Sequence, residues 1–431
     1  MSINNSKAKN LSPELYLKKV LQIAVYGGEV MLRSGAETAR VEETIEHLTR
    51  SFGVSDSNNL VTPTGIFVSV NSDTHDLPLT LVRRVRGRSL NLGRIAEIND
   101  ISRRASRGLL TLDEVEVELH RVESTPDPFP LWLLLLAGAG TASGVTVLLG
   151  GSLLDSAITL ASGLVVQLLM WLLACFKIPR IFGEFSGAAL ATAFALFSAW
   201  LGLPIHQTLV IAGGIIMLVP GAALLASVQD GIAGDLLSSG ARGLETLLKG
   251  AAVAGGVGLA LRTGSVLNIQ ASLDTTQGEI WQIPIQVAAA ILASACYAIV
   301  CHIPVRAILP AGLAGGLCWL VYLLALPATQ SALIATFLAS FAAGLVSWML
   351  ARLRQSPTTL YTLPGVLPLL PGLPIYSGML ALSQNRSNDG ILQLITATFL
   401  GGAIAAGVAL SNTVLAQVWR LSLLGRAKKQ P

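Results

Sequence analysis

Two stretches of the sequence combine prolines and glycines within apolar runs, and their backbone could bind a small solute. The first spans residues 217–221 and ends in Val-Pro-Gly, and the second spans residues 363–374 and contains four prolines. Each proline lacks an amide donor and clashes with the carbonyl one turn earlier, so a regular helix cannot continue through either stretch. Unwound backbone in a membrane is tolerated only against protein or water, so the alternatives are packing kinks and a binding site. The candidate positions are Pro220, Gly221, Pro364, Gly365, Pro371 and Gly372.

Acidic side chains lie near the first stretch. Asp230 and Asp235 follow it directly and could bind an ammonium group or carry a proton, because ionisable groups in membranes mark solute or proton pathways. They could equally cap or solvate the cytoplasmic end of the helix that contains this stretch. Glu184 has the same two interpretations, and its neighbour Arg180 favours an ion pair at the membrane interface.

Three neutral polar residues stand in apolar surroundings. Tyr376, Ser377 and Gln167 could bind a small solute in a dry cavity. Polar residues also join membrane helices to one another, and we favour this alternative for Gln167. Tyr376 and Ser377 are included among the candidate residues of a substrate or proton pathway.

The sequence lacks the signatures of common enzyme chemistry. It contains no GxSxG, HExxH or Walker A motif, so hydrolase, protease and ATPase functions are not indicated. The four cysteines lie in apolar stretches without metal-ligand spacing. We therefore expect no catalytic residues, no metal site and no cofactor.

Most of these residues lie in a region with the composition of a membrane protein. The 431 residues are 52% hydrophobic and only 13% charged, whereas soluble domains are about 25% charged. Past Pro130, ten apolar stretches each approach the roughly 20 residues that cross the hydrocarbon core. They lie at 131–150, 154–175, 183–201, 207–227, 245–261, 282–301, 307–326, 332–350, 358–380 and 391–412. The lipid bilayer is therefore an expected partner.

Basic residues are unevenly distributed among the loops between these stretches. With a cytoplasmic N-terminus, the inner loops and C-terminus carry eleven Lys and Arg residues, and the outer loops carry only Arg262 and Arg386. Such an excess marks cytoplasmic loops. The first ten residues also lack the apolar core of a signal peptide. We expect a multi-pass protein of the bacterial inner (plasma) membrane with both termini in the cytoplasm. The basic residues need no nucleic-acid partner to explain them.

The ten stretches fall into two halves with matching features. Residues 219–221 align with 370–372 at a spacing of 151, and the same spacing pairs Gly256 with Gly407. Because each half has five spans, an odd number, the second half enters the membrane from the opposite side. Inverted repeats with interrupted helices are a recurrent plan of secondary transporters. The sequence therefore predicts transport by alternating access at the fourth and ninth spans.

A polar segment precedes the membrane region, and its patterns predict a small α+β domain. Residues 1–130 hold 16 of the 29 Lys and Arg residues and 17 of the 25 Asp and Glu residues. Residues 65–70 and 77–85 predict a β-hairpin. A capping box at Thr111 and Glu114 begins the last helix. Helical periodicity is present at 13–33, 37–52, 94–107 and 112–123.

Together these features define a fold class. The prediction is an α-helical polytopic membrane protein of about ten transmembrane helices, arranged as a five-plus-five inverted repeat and preceded by a small cytoplasmic α+β domain. A homo-oligomer is also possible. The expected bounds are 1–127 for the cytoplasmic domain, 128–261 and 282–431 for the two membrane modules, and 262–281 for a periplasmic loop.

The N-terminal run 34–43, Ser-Gly-Ala-Glu-Thr-Ala-Arg-Val-Glu-Glu, resembles the signature of the threonine/serine exporter family. In that family a similar cytoplasmic domain precedes five membrane helices, and a second five-helix module carries a motif similar to 363–374. The likeness covers essentially the whole chain, with both modules fused. It implies an antiporter that exports threonine or serine, driven by protons. In relatives with the modules in two chains, the implied substrate is a dicarboxylate such as succinate.

The resemblance also singles out residues of the signature. On a helix, Glu37 and Arg40 are three residues apart, and Thr38 and Glu42 are four apart, so two polar faces are presented. The structural alternative is a capping box of Ser34 and Glu37, with Arg40 in a local ion pair. The candidate functional positions are Gly35, Glu37, Thr38, Arg40 and Glu42.

Three functions follow as hypotheses. The leading one is proton-coupled export of a small polar metabolite, threonine or serine. The alternative of the same class exports an acidic metabolite, a dicarboxylate. The alternative of a different class is a membrane-anchored enzyme or signalling protein that acts through its cytoplasmic domain.

Overall fold

The computed structural model describes residues 12–72, 75–87, 89–232, 234–266 and 281–427. The chain forms two compact units. The first contains Met1–Pro128 together with Asp230–Ala241 and Cys301–Pro304. The second contains Phe129–Gln229, Arg242–Val300 and Val305–Pro431. The first unit is therefore discontinuous in sequence, whereas the expected domain at 1–127 is continuous.

Helices of the first unit begin at recognisable capping residues. The Ser12 side chain accepts a hydrogen bond at the start of the first helix, and Asn91 does so at the start of the third. The expected capping box of Thr111 and Glu114 is present at the fourth. These helices are α1 (Pro13–Arg33), α2 (Thr38–Ser51), α3 (Leu92–Ser106) and α4 (Leu112–Ser124).

The start of α2 differs from the expectation. Glu37 occupies the N-cap position and makes no side-chain capping bond there. Ser34 instead ends α1, where its amide donates to carbonyls of the last turn. The capping box suggested for Ser34 and Glu37 is therefore wrong. Gly35 has a φ of +90°, a conformation that glycine adopts without strain and that allows the sharp turn between the two helices.

A three-stranded antiparallel sheet lies in the same unit. Its order is β1 (Ser57–Thr62), β2 (Gly65–Ser72) and β3 (His75–Arg84), and β2 with β3 forms the expected hairpin. Strand β1 was not predicted, since its Ser-Asn-Asn start has low strand propensity. Its pairing with β2 and the burial of Val61 compensate for that propensity.

The core of the first unit is apolar and closely packed. Faces of α1, α2, α3 and α4 and one face of β2 contribute to it, as the periodicity of these segments predicts. Its fully buried side chains include Leu21, Met31, Leu32, Ile45, Leu48, Ile66, Ile98, Ile101, Leu112 and Leu119.

The second unit is built from long apolar helices. In the part of the chain that the structure describes, eight helices are long and apolar enough to cross a membrane. The protein is therefore a polytopic α-helical membrane protein. The eight are α5 (Leu131–Leu148), α6 (Leu153–Cys175), α7 (Arg180–Trp200), α10 (Leu236–Val266), α11 (Ile283–Val300), α12 (Val305–Thr329), α13 (Ala332–Arg354) and α16 (Ser387–Ala427).

Two of the ten expected spans, 207–227 and 358–380, are not continuous helices. The first is divided into α8 (Gln207–Gly214) and α9 (Gly221–Ile232). The second is divided into α14 (Thr359–Gly365), a 3₁₀ turn at Leu367–Leu369, and α15 (Gly372–Ser383). The prolines of both motifs stand at or beside the breaks, where the helical hydrogen-bond ladder would need amides that they lack.

Small residues allow close helix packing in the second unit. A methyl group added at Gly407 on α16 would lie 2.6 Å from the Phe337 carbonyl oxygen of α13. One added at Gly256 on α10 would overlap the Phe185 carbonyl oxygen of α7. Between α5 and α11, a methyl group at Gly144 would lie 2.9 Å from the Ala293 Cβ atom. Such approach of backbones drives helix association in lipid.

Candidate functional site

The two proline-glycine motifs contact each other inside the second unit. A methyl group added at Gly221 would lie 2.6 Å from Cδ1 of Leu370, which precedes Pro371. One added at Gly372 would lie 2.5 Å from Cδ1 of Ile216, in the break before Pro220. The breaks in the two divided spans therefore face one another through their glycines.

The backbone of the two motifs follows the same course. Four backbone hydrogen bonds recur at the 151-residue spacing, with N···O distances between 2.7 and 3.2 Å. A chance kink would not reproduce the same donor and acceptor positions. The donor–acceptor pairs are 215–211 and 366–362, 218–215 and 369–366, 221–219 and 372–370, and 224–220 and 375–371.

The turns that follow the motifs also match. Helix α9 ends at Ile232 and α10 begins at Leu236, while α15 ends at Ser383 and α16 begins at Ser387. Both turns contain a residue with positive φ, Gly234 at +90° and Asn385 at +61°. The spacing of 151 therefore extends through both turns.

The side chains in the two turns differ in charge. Asp235 in the first turn corresponds to Arg386 in the second, and Asp230 corresponds to Ala381. In both turns the amide of the later residue donates to the carbonyl of the earlier one at 2.9 Å. The acidic pair is therefore particular to the first turn, although the backbone is common to both.

In the first unit, the N-terminal signature contacts this acidic turn. The Thr38 hydroxyl, which is 1% exposed, donates a hydrogen bond of 2.9 Å to Oδ2 of Asp235. Oδ1 of Asp235 accepts from the Ser238 amide at 3.0 Å, so the carboxylate also caps the first turn of α10. Asp235 thus caps the start of the following helix, α10, rather than the end of the fourth span, and its other oxygen contacts the signature.

Glu42 lies one turn further along α2. Its Oε1 atom accepts a hydrogen bond of 2.8 Å from the Val61 amide of β1. Burial raises the pKa of Glu42 above its ordinary value, and the charge of Asp235 adds to the rise, while the Val61 amide opposes it. The residue therefore binds a proton more readily in the folded protein than in water.

The remaining signature residues surround this contact. Glu37 is half-buried at the N-cap of α2. Arg40 is half-buried, and its Nε atom is enclosed without a hydrogen-bond partner among the residues that the structure describes. Gly35 provides the turn. Thr38 and Glu42 are thus the two signature side chains that the fold brings to Asp235.

Glu184 pairs with a lysine from another helix of the second unit. The Glu184 carboxylate is 6% exposed on α7, and Nζ of Lys249 on α10 lies 3.8 Å from its Oε1 atom. Lys249 also lies 2.8 Å from Oε1 of Glu245. Lys249 therefore lies between the buried Glu184 carboxylate and the partly exposed Glu245 carboxylate, and the ion pair of Glu184 with Arg180 stays a prediction.

The neutral polar candidates occupy two environments. Tyr376 is buried in an apolar cluster that also contains Val219 of the first motif. Ser377, the next residue, is half-buried. Gln167 on α6 packs against Gly138 of α5, where an added methyl group would lie 2.6 Å from its Nε2 atom. Packing between helices therefore accounts for Gln167.

Two family models match the chain. One, described as "Putative threonine/serine exporter", matches residues 22–264, which include the signature and the first motif. The other, described as "Threonine/Serine exporter, ThrE", matches residues 286–414, which include the second motif. The first match alone covers more than half of the 431 residues. The chain belongs to the threonine/serine exporter family.

Relatives within this family are similar over most of the chain. A protein of Mycobacterium tuberculosis named "Probable threonine/serine exporter" is 31% identical over 93% of this chain and 77% of its own length. The "Threonine/serine exporter" of Corynebacterium glutamicum is 26% identical over 93% of this chain and 83% of its own. A "Probable succinate transporter subunit YjjP" of Escherichia coli is 26% identical over 52% of this chain and 87% of its own. No solved structure matches the chain.

One polar pair of this family member was missed by the sequence reasoning. Asp155, at the start of α6, is completely buried, and its Oδ2 atom lies 2.8 Å from Nδ1 of His206, just before α8. The signal for Asp155 was its capping box with Ser152. Nothing local indicates His206, because the two residues are 51 positions apart.

Proposed function

We propose that this member of the threonine/serine exporter family is a secondary transporter that exports threonine and serine, and not an enzyme. The observation that carries the proposal is the pair of divided spans, which contact each other and repeat the same backbone hydrogen bonds at a fixed spacing. Broken helices at equivalent positions supply backbone groups to substrate and ion sites in secondary transporters. The names of the two relatives that match nearly the whole chain support the same substrates.

The proposed architecture is an inverted repeat of five plus five helices, with the divided spans as the fourth and ninth. Gly256 and Gly407, 151 residues apart, each lie against a phenylalanine carbonyl of the corresponding helix. The contact between α5 and α11, the first membrane helices of the two halves, is antiparallel, since Gly140 lies against Cys296 and Gly144 against Ala293. Opposite directions of the first helices are expected when the second half is inverted. Alternating access would then exchange the conformations of the halves.

We further propose that the first unit is cytoplasmic and that both termini lie on that side of the bacterial inner membrane. Besides Asp235, the unit holds the segment 301–304, where the Leu92 amide donates to the Cys301 carbonyl at 2.9 Å. Two membrane helices, α10 and α11, separate Asp235 from Cys301, so both residues belong to the same side. The basic loops support the cytoplasmic assignment of that side.

The proposed pathway joins the two breaks to acidic groups. Pro220, Gly221, Pro364, Gly365, Pro371 and Gly372 would expose backbone groups to substrate, with Tyr376 and Ser377 beside them. In this proposal Glu184, Asp230 and Asp235 carry a proton or bind the ammonium group of an amino acid. The signature residues Glu37, Thr38, Arg40 and Glu42 are proposed as functional positions of the first unit, where Thr38 contacts Asp235.

Transport by purified protein tests the proposal. Proteoliposomes loaded with unlabelled threonine are expected to accumulate labelled threonine by counterflow, and a pH gradient is expected to accelerate net threonine transport. Labelled succinate tests the alternative substrate, which is named for relatives that match about half of this chain. Transport of neither solute by folded protein would refute the exporter function, and transport of succinate alone would replace the substrate.

Neutral variants test the acidic pathway. Asp230→Asn and Asp235→Asn are each expected to abolish transport driven by a pH gradient, because neither amide can carry a proton at neutral pH. The measurement is threonine flux with and without the gradient. Full activity of both variants would leave Asp230 and Asp235 with a structural role only. For Asp235 that role would be the cap of α10.

A further inference from the structure

The carboxylate of Asp155 is enclosed by donors from two loops at one end of the second unit. Oδ2 accepts from the Ser152 amide at 2.7 Å and lies 2.8 Å from Nδ1 of His206. Oδ1 accepts from the His206 amide at 2.8 Å. The same histidine therefore contacts both carboxylate oxygens, once through its backbone and once through its ring.

This arrangement assigns the proton positions on the imidazole. Because a carboxylate only accepts, Nδ1 of His206 must carry a hydrogen, and Nε2 is then the atom that gains or loses a proton. The His206 side chain is 28% exposed, so the ring is not enclosed within the protein. Asp155 gives the charged ring a buried counter-ion.

The pair also connects α6 to the divided fourth span. Asp155 lies in the first turn of α6, and His206 is the N-cap of α8, the first half of the divided fourth span. Helix α8 runs from this point to the break before Pro220. A change of charge on His206 therefore acts at the start of the segment that is expected to move during transport.

Few other ionisable groups face the pair. Among the described residues of the helices packed around α6 and α8, α5 has none, and α7 carries Arg180 and Glu184 in its first turns, at the opposite end. Helix α15, which packs on α8, carries Tyr376. At the 151-residue spacing the counterparts of Asp155 and His206 are Arg306 and Pro357, so neither the carboxylate nor the imidazole is repeated. The pair is therefore particular to the first half.

We propose that His206, held by Asp155, is the proton-binding group on the outer side of this exporter. The inference rests on the proposed proton coupling. With α5 starting in the cytoplasm, the α5–α6 and α7–α8 loops that carry the pair lie outside. In the outward-facing state, Nε2 takes a proton from the external solution and the ring becomes an imidazolium. When the protein turns inward, the N–H bond at Nε2 breaks, the proton passes to water that reaches the site from the inner side, and the neutral ring is restored.

The variant His206→Asn separates titration from structure. An asparagine amide can occupy the place of Nδ1 and donate to Asp155, but it cannot be protonated. In proteoliposomes, the variant is expected to keep threonine counterflow at equal pH on both sides and to lose its acceleration by a pH gradient. The counterflow rate of the wild type should depend on external pH, and that of His206→Asn should not.

His120→Asn is the matched control. His120 is an exposed histidine of the first unit with a similar hydrogen bond, to Tyr26, and this variant should respond to the gradient like the wild type. A full gradient response in His206→Asn would overturn the inference and leave proton-coupled export intact. Loss of counterflow together with the response would also overturn it, in favour of a structural role. A wild type that ignores the gradient would refute both proposals.

Discussion

Thr38 is the signature residue with the most specific contact. Its hydroxyl is buried and donates to a carboxylate, and the hydrogen bond to Asp235 spans 197 positions in sequence. Any polar residue in the run 34–43 could have been chosen as functional from the sequence, since the run is short and its polar residues are close together. The partner is what distinguishes Thr38, and only the fold supplies that partner.

Replacing Thr38 by valine should destabilise the first unit. Valine keeps the shape of threonine but removes the donor, and a hydrogen bond to a charged group is worth about 1.5–3 kcal/mol. We expect Thr38→Val to lower the free energy of unfolding, measured in mixed detergent micelles, by that amount. Thr38→Ser retains the donor and should lose less. Equal stability of Thr38→Val and the wild type would show that Asp235 does not depend on this hydroxyl.

Glu42 should make stability depend on pH. Because its pKa is raised in the folded protein, the folded state binds a proton more tightly, and stability falls as pH rises from about 4.5 through the folded-state pKa. Glu42→Gln can still accept from the Val61 amide and carries no charge. The variant should therefore melt higher than the wild type at pH ~7.5, and the difference should shrink toward pH ~4.5.

The neighbouring Glu43, which is exposed on the same helix, provides the control. Glu43→Gln should leave the pH dependence of the melting temperature as it is in the wild type. A lower melting temperature for Glu42→Gln at neutral pH would mean that the ionised carboxylate is stabilised in the fold, contrary to the effect of its burial.

At the level of helices, α10 and α16 each carry one glycine in close contact with another helix and one glycine beside open space, and we expect opposite effects of alanine at the two kinds of position. Gly256→Ala and Gly407→Ala would press a methyl group onto a backbone carbonyl, which cannot rotate away as a side chain can. Each should cost about 1–3 kcal/mol. On the same two helices, Gly240 and Gly402 have no atoms within 4 Å of an added methyl group. Alanine there should be neutral or should stabilise by about 0.5–1 kcal/mol.

Unfolding in mixed micelles measures all four glycine variants. Similar losses for Gly256→Ala and Gly407→Ala would support the proposed equivalence of the two helix pairs. If Gly402→Ala were as harmful as Gly407→Ala, general loss of helix flexibility would explain the data better than the contact with Phe337.

Helix positions could be predicted from hydropathy better than helix ends. The sequence places the fifth span at 245–261, whereas α10 begins at Leu236, because its first turns contain polar residues and are fixed by the Asp235 cap. The breaks at Pro220 and Pro371 were predictable, since proline chemistry is local. The contact of Gly221 with Leu370 was not, because it depends on how two distant segments pack.

For the whole molecule, the proposed topology predicts which cysteines react from outside. Cys175 is exposed at the end of α6, which is assigned to the cytoplasm. Leu201→Cys, between α7 and α8, and Ala328→Cys, near the end of α12, introduce thiols on the outer side. A membrane-impermeant maleimide should label both variants in intact cells. The wild type should be labelled only after the membrane is permeabilised.

The other three native cysteines should contribute little labelling in this experiment. Cys301 and Cys318 are buried and Cys296 is partly buried, so Cys175 is the main native target. Labelling of the wild type in intact cells at the same rate as Leu201→Cys would reverse the proposed orientation. It would also place the first unit outside the cell.

For the whole molecule, the class of protein could be predicted from the sequence better than the contacts between distant segments. Low charge and apolar stretches predicted a polytopic helical protein, because the bilayer demands such residues in any arrangement. The inclusion of residues 230–241 and 301–304 in the first unit could not be predicted, since these short segments have no pattern of their own. The same limit explains why β1 was overlooked and why His206 had no assigned partner.

The close contact between α5 and α11 holds the two halves together, and it raises the question of whether one gene or two must encode them. The two family matches end at residue 264 and begin at 286, so they leave a short connection between the halves. A covalent link raises the effective concentration of the two halves, and confinement of two separate polypeptides to one bilayer raises it as well. A gene divided at this connection could therefore yield two products that assemble. What the single gene secures is equal dosage, because every ribosome that makes one half also makes the other.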